Sequence, residues 1–197
     1  MQKIILASGS PRRSQLLEWA EIPFDVMVAA TDESYPENLP PGEIAIHIAY
    51  NKALAVQKLL KQTETNGEAH TIIAADTIVV LGNEIIGKPI NREDAIKILT
   101  GLSGRVHKVI TGVCIFSGTK EVLFAENTEV EFHALSPWQI EYYVNRYQPY
   151  DKAGAYAIQE WIGVTGVKSI NGDFYNVMGL PVSRVIKELE KLVSHQL

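Results

Sequence analysis

The spacing of apolar and polar residues predicts that strands and helices alternate over the first part of the chain. Apolar runs at 3–7 and 24–28 are typical of short strands. Between them, Leu16, Leu17 and Ala20 fall on one face of a helix. The pattern therefore predicts a strand, a helix and a second strand in succession.

A long helix and a long strand follow. From 43 to about 61, apolar residues recur at helical spacing. The run at 71–81 is apolar and typical of a strand, and Asp76 is its only carboxylate. Gly82-Asn83 predicts a tight hairpin turn into a return strand at 84–86.

Helices and hairpins make up the rest of the predicted fold. These elements are a helix capped by Asn91 and ending at Leu102, two long strands at 106–116 and 121–133, a helix opened by the capping box of Ser136 and Gln139, a glycine-bearing strand at 161–167 and a last helix after Pro181. Together they predict an α/β or α+β domain around a long mixed sheet. We expect one domain at 1–197, with a cleft between two lobes that gathers the polar groups at strand ends and in loops.

Composition restricts the classes to which this protein can belong. Its 197 residues, 46% of them hydrophobic, suffice for one packed domain. The formal net charge of −5 is unlike that of a protein that binds nucleic acid polymers, so an anionic ligand needs a local group of cations. Cys114 is the single cysteine, which excludes an internal disulfide and is typical of a small core residue. Since neither a membrane-spanning run nor a signal-peptide pattern occurs, we expect a soluble cytoplasmic protein.

The turn between the first strand and the first helix carries the clearest candidate chemistry. Residues 8–11 read Ser-Gly-Ser-Pro, in which Ser10 is a good N-cap and the proline suits the first helical position. Free N–H groups at a helix start favour an anion, and Arg12 and Arg13 in the same turn are disfavoured without one. The turn predicts a phosphate site, and the alternative is a capped surface helix with two solvated arginines.

Further along the chain, a carboxylate lies within an apolar strand, and two lysines occupy positions from which they could reach it. Because an unpaired carboxylate in a buried strand is costly, Asp76 predicts a partner such as a metal ion, a cation or a water to activate. Thr77 follows it, and we expect its hydroxyl to face the same pocket. Lys88 stands across the hairpin from Asp76, and the alternative is an ordinary loop lysine. Lys52 either extends from the flank of its helix into solvent or points toward a ligand shared with these groups.

Two loop segments leave alternatives open. The polar loop at 31–42 contains Asp32 and Glu33, and it is either a functional loop or a solvated acidic one. The segment 151–159 places a charged pair beside glycine and small residues, so its backbone can approach a ligand closely. The alternative for 151–159 is a tightly packed turn with a surface ion pair.

A series of motifs resembles one family in order and spacing. The motifs are Ala-Ser-Gly-Ser-Pro-Arg-Arg at 7–13, Asn-Lys-Ala at 51–53, Ala-Ala-Asp-Thr at 74–77, Gly-Lys-Pro at 87–89, Leu-Ser-Gly-Arg-Val-His at 102–107, Thr-Gly-Val at 111–113, Asp-Lys-Ala-Gly-Ala-Tyr at 151–156 and Asn-Gly-Asp-Phe-Tyr-Asn-Val-Met-Gly-Leu-Pro at 171–181. Together they resemble the Maf family of nucleoside triphosphate pyrophosphatases over nearly the whole chain.

This resemblance implies an elongated α/β fold, in which a twisted mixed sheet with flanking helices forms two lobes around a cleft, related to the fold of the inosine triphosphate pyrophosphatases. It implies hydrolysis of a nucleoside triphosphate to the monophosphate and pyrophosphate with Mg²⁺ or Mn²⁺, and a homodimer. By resemblance, Asp76 is the general base, and Glu33 is a second carboxylate at the metal. The positions that match the phosphate side are Ser8, Arg12, Arg13, Lys52 and Lys88.

The resemblance also implies a subgroup. Residues 155–159 are similar to the branch that acts on dTTP and UTP, in which Arg12, Thr77 and Gln159 match positions tied to substrate choice. The branch that acts on 7-methyl-GTP usually has a glutamate near position 159. One departure is Glu160-Trp161, where small residues are commoner. The alternatives are a pyrophosphatase for 7-methyl-GTP or another modified nucleotide, and a non-catalytic nucleotide-binding regulator of cell division.

The residues and the resemblance together predict a mechanism. Asp76 accepts a proton from a water aligned with the α-phosphorus, while the metal and the cations stabilise the charge that develops on the phosphates. The amide of Gln159 offers both a donor and an acceptor, which suits the edge of a pyrimidine. A contact of this kind discriminates strongly, because the wrong base leaves polar groups unpaired.

Overall fold

The computed structural model describes residues 3–36, 38–63 and 70–194. Its elements are β1 (Lys3–Leu6), α1 (Pro11–Trp19), β2 (Phe24–Val26), α2 (Pro41–Thr63), β3 (His70–Leu81), β4 (Glu84–Ile86), α3 (Arg92–Leu102), β5 (Val106–Ser117), β6 (Lys120–Phe132), α4 (Pro137–Tyr147), a 3-10 turn (Ala153–Ala155), α5 (Trp161–Gly166), β7 (Val167–Asn171), α6 (Phe174–Met178) and α7 (Val182–Ser194). Each helix within these ranges is too short or too polar to span a lipid bilayer.

The strands of the described residues form one mixed sheet. Its order is β2-β1-β3-β5-β6-β7, and β4 pairs with β3 off this path. Strand β1 is parallel to β2 and β3, whereas β4 is antiparallel to β3 and β7 is antiparallel to β6. The predicted α/β class with a mixed sheet and flanking helices is confirmed. The hairpin at Gly82-Asn83 is confirmed as well, since Leu81 pairs with Glu84.

The described residues divide into two compact units. The first contains the chain up to Asp76, then Thr111–Glu126, and the chain from Gly179 onward. The second contains Thr77–Ile110 and Asn127–Met178. We describe each unit by itself. The single domain at 1–197, the cleft and the relation to the inosine triphosphate pyrophosphatases stay predictions.

The core of the first unit is formed by α2 and the strands β1, β3 and β5. Its buried residues are Ile5, Ala7, Ala49, Ala53, Val56, Leu60, Ile72, Ala74, Cys114 and Phe116. A Cβ on Gly112 of β5 would lie 2.2 Å from the carbonyl carbon of Ala45, so glycine lets α2 approach the strand directly. Cys114 is a core residue, as predicted, and burial raises its pKa to about 12.

The second unit shows both predicted helix caps. The side chain of Asn91 accepts the backbone N–H of Asp94 at 2.9 Å before α3. Ser136 and Gln139 form a capping box before α4, in which each side chain accepts the other's backbone N–H. Because capping side chains satisfy N–H groups that have no partner within the helix, these starts could be read from sequence.

The strand predicted at 161–167 is wrong. Residues Trp161–Gly166 form the helix α5, and the strand β7 begins only at Val167. Local preference does not favour a helix in a segment that contains two glycines and β-branched residues. A Cβ on Gly163 would lie 1.8 Å from the carbonyl oxygen of Ile158, so this turn of helix is packed against the preceding backbone. Lys168 lies within β7 and pairs with Glu131 at 2.7 Å.

Stability should depend on pH through His107 of β5. This side chain is buried and forms a 2.7 Å hydrogen bond between Nε2 and the hydroxyl of Tyr156. Burial lowers the pKa of His107 to about 4 against an ordinary value of 6.5, although the backbone of Arg105 opposes the shift. The unfolded chain therefore binds more protons than the folded one between these values. The free energy of unfolding should fall by about 2 kcal/mol from pH 7 to pH 5 through this group.

Urea unfolding at both pH values measures this loss. The His107→Gln variant removes the titrating group, so its stability should change less between pH 7 and pH 5 than that of the wild type. His133→Gln is the control for the same substitution at an exposed histidine. Equal pH dependence in His107→Gln and the wild type would assign the effect to other groups.

Candidate functional site

The first unit brings three charged side chains of the predicted site into direct contact. The ammonium of Lys52 lies 2.7 Å from Oδ1 of Asp76 and 2.7 Å from Oε1 of Glu33. The side chains of Lys52 and Asp76 are 18% and 15% exposed, and that of Glu33 is 50% exposed. Lys52 therefore points inward to both carboxylates, and the interpretation that it only extends into solvent is wrong.

Packing of α2 on the sheet explains why Lys52 reaches Asp76. Ala49 and Ala53 are fully buried on the face of α2 that packs on the strands, so the helix lies close to β3. Lys52 stands beside Ala53 at the edge of this face, and Asp76 follows the fully buried Ala74 and Ala75 in β3. Small residues on both elements leave room for one long side chain between them.

The loop that carries Glu33 has a turn of its own. The Asp32 carboxylate accepts the backbone N–H of Ser34 at 2.9 Å and its hydroxyl at 2.7 Å. These bonds lower the pKa of Asp32, the bond from the Ser34 side chain having the largest effect. Asp32 thus shapes the turn, and Glu33 is the residue of this loop that joins the charged cluster.

Arg13 is anchored by two hydrogen bonds within the first unit. Its Nη1 donates to the hydroxyl of Ser8 at 2.9 Å, and its Nε donates to the carbonyl oxygen of Gly179 at 2.8 Å. Ser10 has the N-cap position of α1, but its side chain makes no cap bond, and its N–H donates to Ser8 Oγ at 3.3 Å. The N-cap position predicted for Ser10 is therefore confirmed, but the side-chain acceptor in this turn is Ser8 and not Ser10.

The guanidinium of Arg13 is part of the same electrostatic cluster. Burial lowers its pKa, Asp76 raises it, Arg12 lowers it and Glu33 raises it, in decreasing order of effect. A buried cation is stable only where negative charge or hydrogen-bond acceptors compensate its loss of water. The alternative of two solvated arginines is wrong for Arg13, which is buried, while Arg12 is partly exposed in the same turn.

In the second unit, Thr77 and Lys88 belong to the hairpin of β3 and β4. Extending the register by two residues beyond the pair Val79–Ile86 places Lys88 level with Thr77, and Lys88 is exposed. The expectation that the hydroxyl of Thr77 faces the same pocket as Asp76 stays a prediction.

The segment that carries Gln159 is held in place by its neighbours in the second unit. The hydroxyl of Tyr143 donates to Glu160 and accepts the backbone N–H of Ala157 at 3.1 Å. The N–H of Gly154 donates to the carbonyl oxygen of Gly87 at 3.1 Å, which joins this segment to the loop after β4. The side chain of Gln159 is exposed at the end of this fixed segment.

The charged pair of this segment is present as well. The ammonium of Lys152 lies 2.7 Å from Oδ1 of Asp151 and 3.7 Å from Oε1 of Glu160. Asp151 is largely exposed, whereas the side chain of Lys152 is 11% exposed and residues 154–158 are buried. The structure therefore agrees with a tightly packed turn that bears an ion pair.

Sequence reasoning missed two residues that hold the predicted site: Gly179, which bonds to Arg13, and Tyr143, which bonds to the segment that carries Gln159. Gly179 supplies a backbone carbonyl to Arg13, and a backbone acceptor leaves no trace in side-chain chemistry. Its φ of 117° lies in a region open mainly to glycine, so the glycine before Leu180-Pro181 was the available signal. Tyr143 lies among the buried positions of α4, where its spacing indicates a core residue and gives no sign that its hydroxyl forms hydrogen bonds.

The two carboxylates suit a divalent ion that is shared with a substrate. Glu33 and Asp76 present oxygen atoms to one common cation, and oxygen is the ligand that Mg²⁺ and Mn²⁺ prefer. Within residues 3–36, 38–63 and 70–194, no three His, Cys, Asp or Glu side chains gather around one point. Two protein oxygens are compatible with Mg²⁺, which commonly keeps several waters among its ligands.

Known proteins resemble this chain over nearly its whole length. It is 50% identical to a dTTP/UTP pyrophosphatase of Cytophaga hutchinsonii, over 98% of this chain and 86% of the relative. It is 49% identical to a dTTP/UTP pyrophosphatase of Parabacteroides distasonis, over 95% of each chain. Among solved structures, the Staphylococcus aureus Ham1 protein matches with a TM-score of 0.42 and 17% identity, over 66% of this chain and 72% of that one.

The family model described as Maf-like protein matches residues 3–192. This range includes every residue of the predicted site in both units. The chain therefore belongs to the Maf family.

Proposed function

We propose that this protein hydrolyses dTTP and UTP to the nucleoside monophosphate and pyrophosphate. The relatives at 49% and 50% identity are named dTTP/UTP pyrophosphatases. The contact of Asp76 with Lys52 carries the proposal, because it places a largely buried carboxylate beside cations suited to a polyphosphate. A reaction at phosphorus needs both a base for the water and positive charge for the phosphates.

In this proposal the residues of the first unit perform the chemistry. Asp76 accepts a proton from the attacking water, and Lys52, Arg12 and Arg13 bind the phosphate oxygens. Ser8 holds the guanidinium of Arg13 in its orientation. The assignment of Lys88 to the phosphates rests on the resemblance alone. A divalent ion held by Asp76 and Glu33 neutralises phosphate charge when it is bound.

Substrate choice is assigned to three residues. Gln159 presents an exposed amide on a fixed backbone, which is the arrangement that reading of a base edge requires. Arg12 contributes from the first turn of α1. The assignment of Thr77 rests on the resemblance alone.

We expect Gln159→Glu to lower kcat/KM for dTTP and UTP about a hundredfold. The carboxylate cannot donate a hydrogen bond to a pyrimidine carbonyl, and an unpaired polar group disfavours the complex. The folded state should be unaffected, since Gln159 is exposed. Steady-state kinetics with dTTP, UTP and GTP measure the change, with Gln62→Glu at an exposed end of α2 as the charge control. An equal loss on all three nucleotides would show that Gln159 does not read the base.

The test of the proposed reaction measures two products. Wild-type protein is incubated with Mg²⁺ or Mn²⁺ and a panel of dTTP, UTP, CTP, ATP, GTP and 7-methyl-GTP, and pyrophosphate and inorganic phosphate are assayed separately. We expect pyrophosphate, with the highest kcat/KM for dTTP and UTP. Preference for 7-methyl-GTP would assign the chain to the other branch. Tight binding without any product would favour the non-catalytic regulator, and inorganic phosphate alone would exclude cleavage at the α-phosphorus.

A further inference from the structure

The ammonium of Lys52 lies between the carboxylates of Glu33 and Asp76. Each carboxylate contributes one oxygen at 2.7 Å from Nζ. Lys52 and Asp76 are largely buried, so their charges are poorly hydrated and each requires the other. The ion pair is thus a structural element of the first unit, in addition to anything that Lys52 does for a substrate.

The same two carboxylates are those that suit a divalent ion. An ammonium in contact with both carboxylates and a metal ion bound to them would place two cations within a few ångströms of each other. Like charges at this distance repel strongly where water is partly excluded. Lys52 and a metal ion therefore compete for Glu33 and Asp76.

Lysine is suited to leave such a contact. Its ammonium sits on a flexible four-carbon stem, and its donors rotate freely, unlike the fixed fork of arginine. Arg13 in the same cluster is held at both Nη1 and Nε and has no such freedom. A lysine released from the two carboxylates needs another anion, and a polyphosphate bound at this site provides one.

We propose that Lys52 is an internal counter-ion, which a divalent metal displaces from Glu33 and Asp76 and which then binds the phosphates of the substrate. This inference rests on the proposed function for the identity of the phosphate ligand. It adds that binding of metal and of polyphosphate are coupled through one side chain. The site without metal is then stable, because two neighbouring carboxylates always have a cation.

Binding of Mn²⁺ tests the competition without turnover. The fraction of bound Mn²⁺ is measured by electron paramagnetic resonance, in the absence of nucleotide, for the wild type, Lys52→Met and Lys58→Met. Lys58 is the matched control, since it is exposed on the same helix. We expect Lys52→Met to bind Mn²⁺ about tenfold more tightly than the wild type, and Lys58→Met to bind it equally. Equal or weaker binding by Lys52→Met would overturn the proposal.

Inorganic tripolyphosphate tests the coupling. It should raise the affinity for Mn²⁺ in both proteins, because phosphate oxygens complete the ligand set of the ion. Tripolyphosphate should raise the Mn²⁺ affinity of the wild type by a larger factor, because it also binds the released Lys52 there. An equal increase in Mn²⁺ affinity in the wild type and Lys52→Met would exclude transfer of Lys52 to the phosphates.

Thermal unfolding gives a second measurement on the same variants. Without metal, Lys52→Met leaves two carboxylates without their ammonium and should unfold at a lower temperature than the wild type, and Mn²⁺ should reduce this difference. If Lys52→Met does not fold, Lys52→Gln serves in its place, because it removes the charge and keeps a hydrogen-bond donor. A difference that Mn²⁺ does not reduce would contradict the proposal.

Failure of this inference and failure of the proposed function give different results. Tighter Mn²⁺ binding by Lys52→Met in a protein that releases no pyrophosphate would support the counter-ion and reject the reaction. Unchanged Mn²⁺ binding by Lys52→Met, in a protein that hydrolyses dTTP and UTP, would reject the counter-ion and support the reaction.

Discussion

The Asp76→Asn variant is expected to lose about a thousandfold or more of its turnover of dTTP and UTP while it still folds, because Glu33 continues to pair with Lys52. The amide is nearly isosteric with the carboxylate, and its oxygen can still accept a hydrogen bond from Lys52. It cannot accept a proton from water, and loss of a general base typically costs about 10²–10⁴ in rate. Pyrophosphate release at saturating nucleotide measures the loss.

Two controls make the result specific. Asp25→Asn removes an exposed carboxylate of β2 and should leave turnover unchanged. Binding of inorganic tripolyphosphate to Asp76→Asn should persist, because Arg13 and Lys52 remain. Near-normal turnover in Asp76→Asn would show that another group accepts the proton.

Replacement of Arg13 by leucine should give the largest loss of stability among the site residues. It removes the bonds to Ser8 and Gly179 and takes a buried cation away from Asp76 and Glu33. Loss of one partner from a buried charged network costs about 3 kcal/mol. Urea unfolding of Arg13→Leu measures this loss, and binding of tripolyphosphate should weaken with it.

The conservative Arg13→Lys variant separates charge from geometry. A single ammonium cannot reach Ser8 Oγ and the Gly179 carbonyl as the guanidinium does, so we expect it to recover only part of the stability. Stability equal to that of the wild type would show that positive charge alone suffices at this position.

The turn at 8–13 shows how far local sequence could predict the site. The strand, the turn and the helix start were predicted from residue types, because caps and proline positions act over a few residues. The partner of Arg13 could not be found in this way, since Gly179 lies 166 positions away. A contact between residues so far apart in sequence depends on how whole helices and strands pack, and the local spacing of residues does not report on that packing.

The direction of the Lys52 side chain also depends on packing between elements that are distant in sequence. Local sequence correctly places Lys52 on a helix. It does not decide whether the side chain extends into solvent or points toward a shared ligand. The close packing of α2 on β3 decided between them, and that packing depends on small residues spread over α2, β3 and β5. The helix α5 was missed for a related reason, because contact of Gly163 with the backbone of Ile158 outweighs weak local propensity.

The contact between Gly112 and α2 has a consequence for surveys of mutational tolerance. No chemistry occurs at Gly112, yet any side chain there would push against the backbone of Ala45 and Ile46 and shift the helix that carries Lys52. A library of random substitutions scored only by activity would therefore rank this position beside Asp76. Separating the two requires scoring each variant for abundance as well, because a displaced helix reduces the amount of folded protein and a missing base does not.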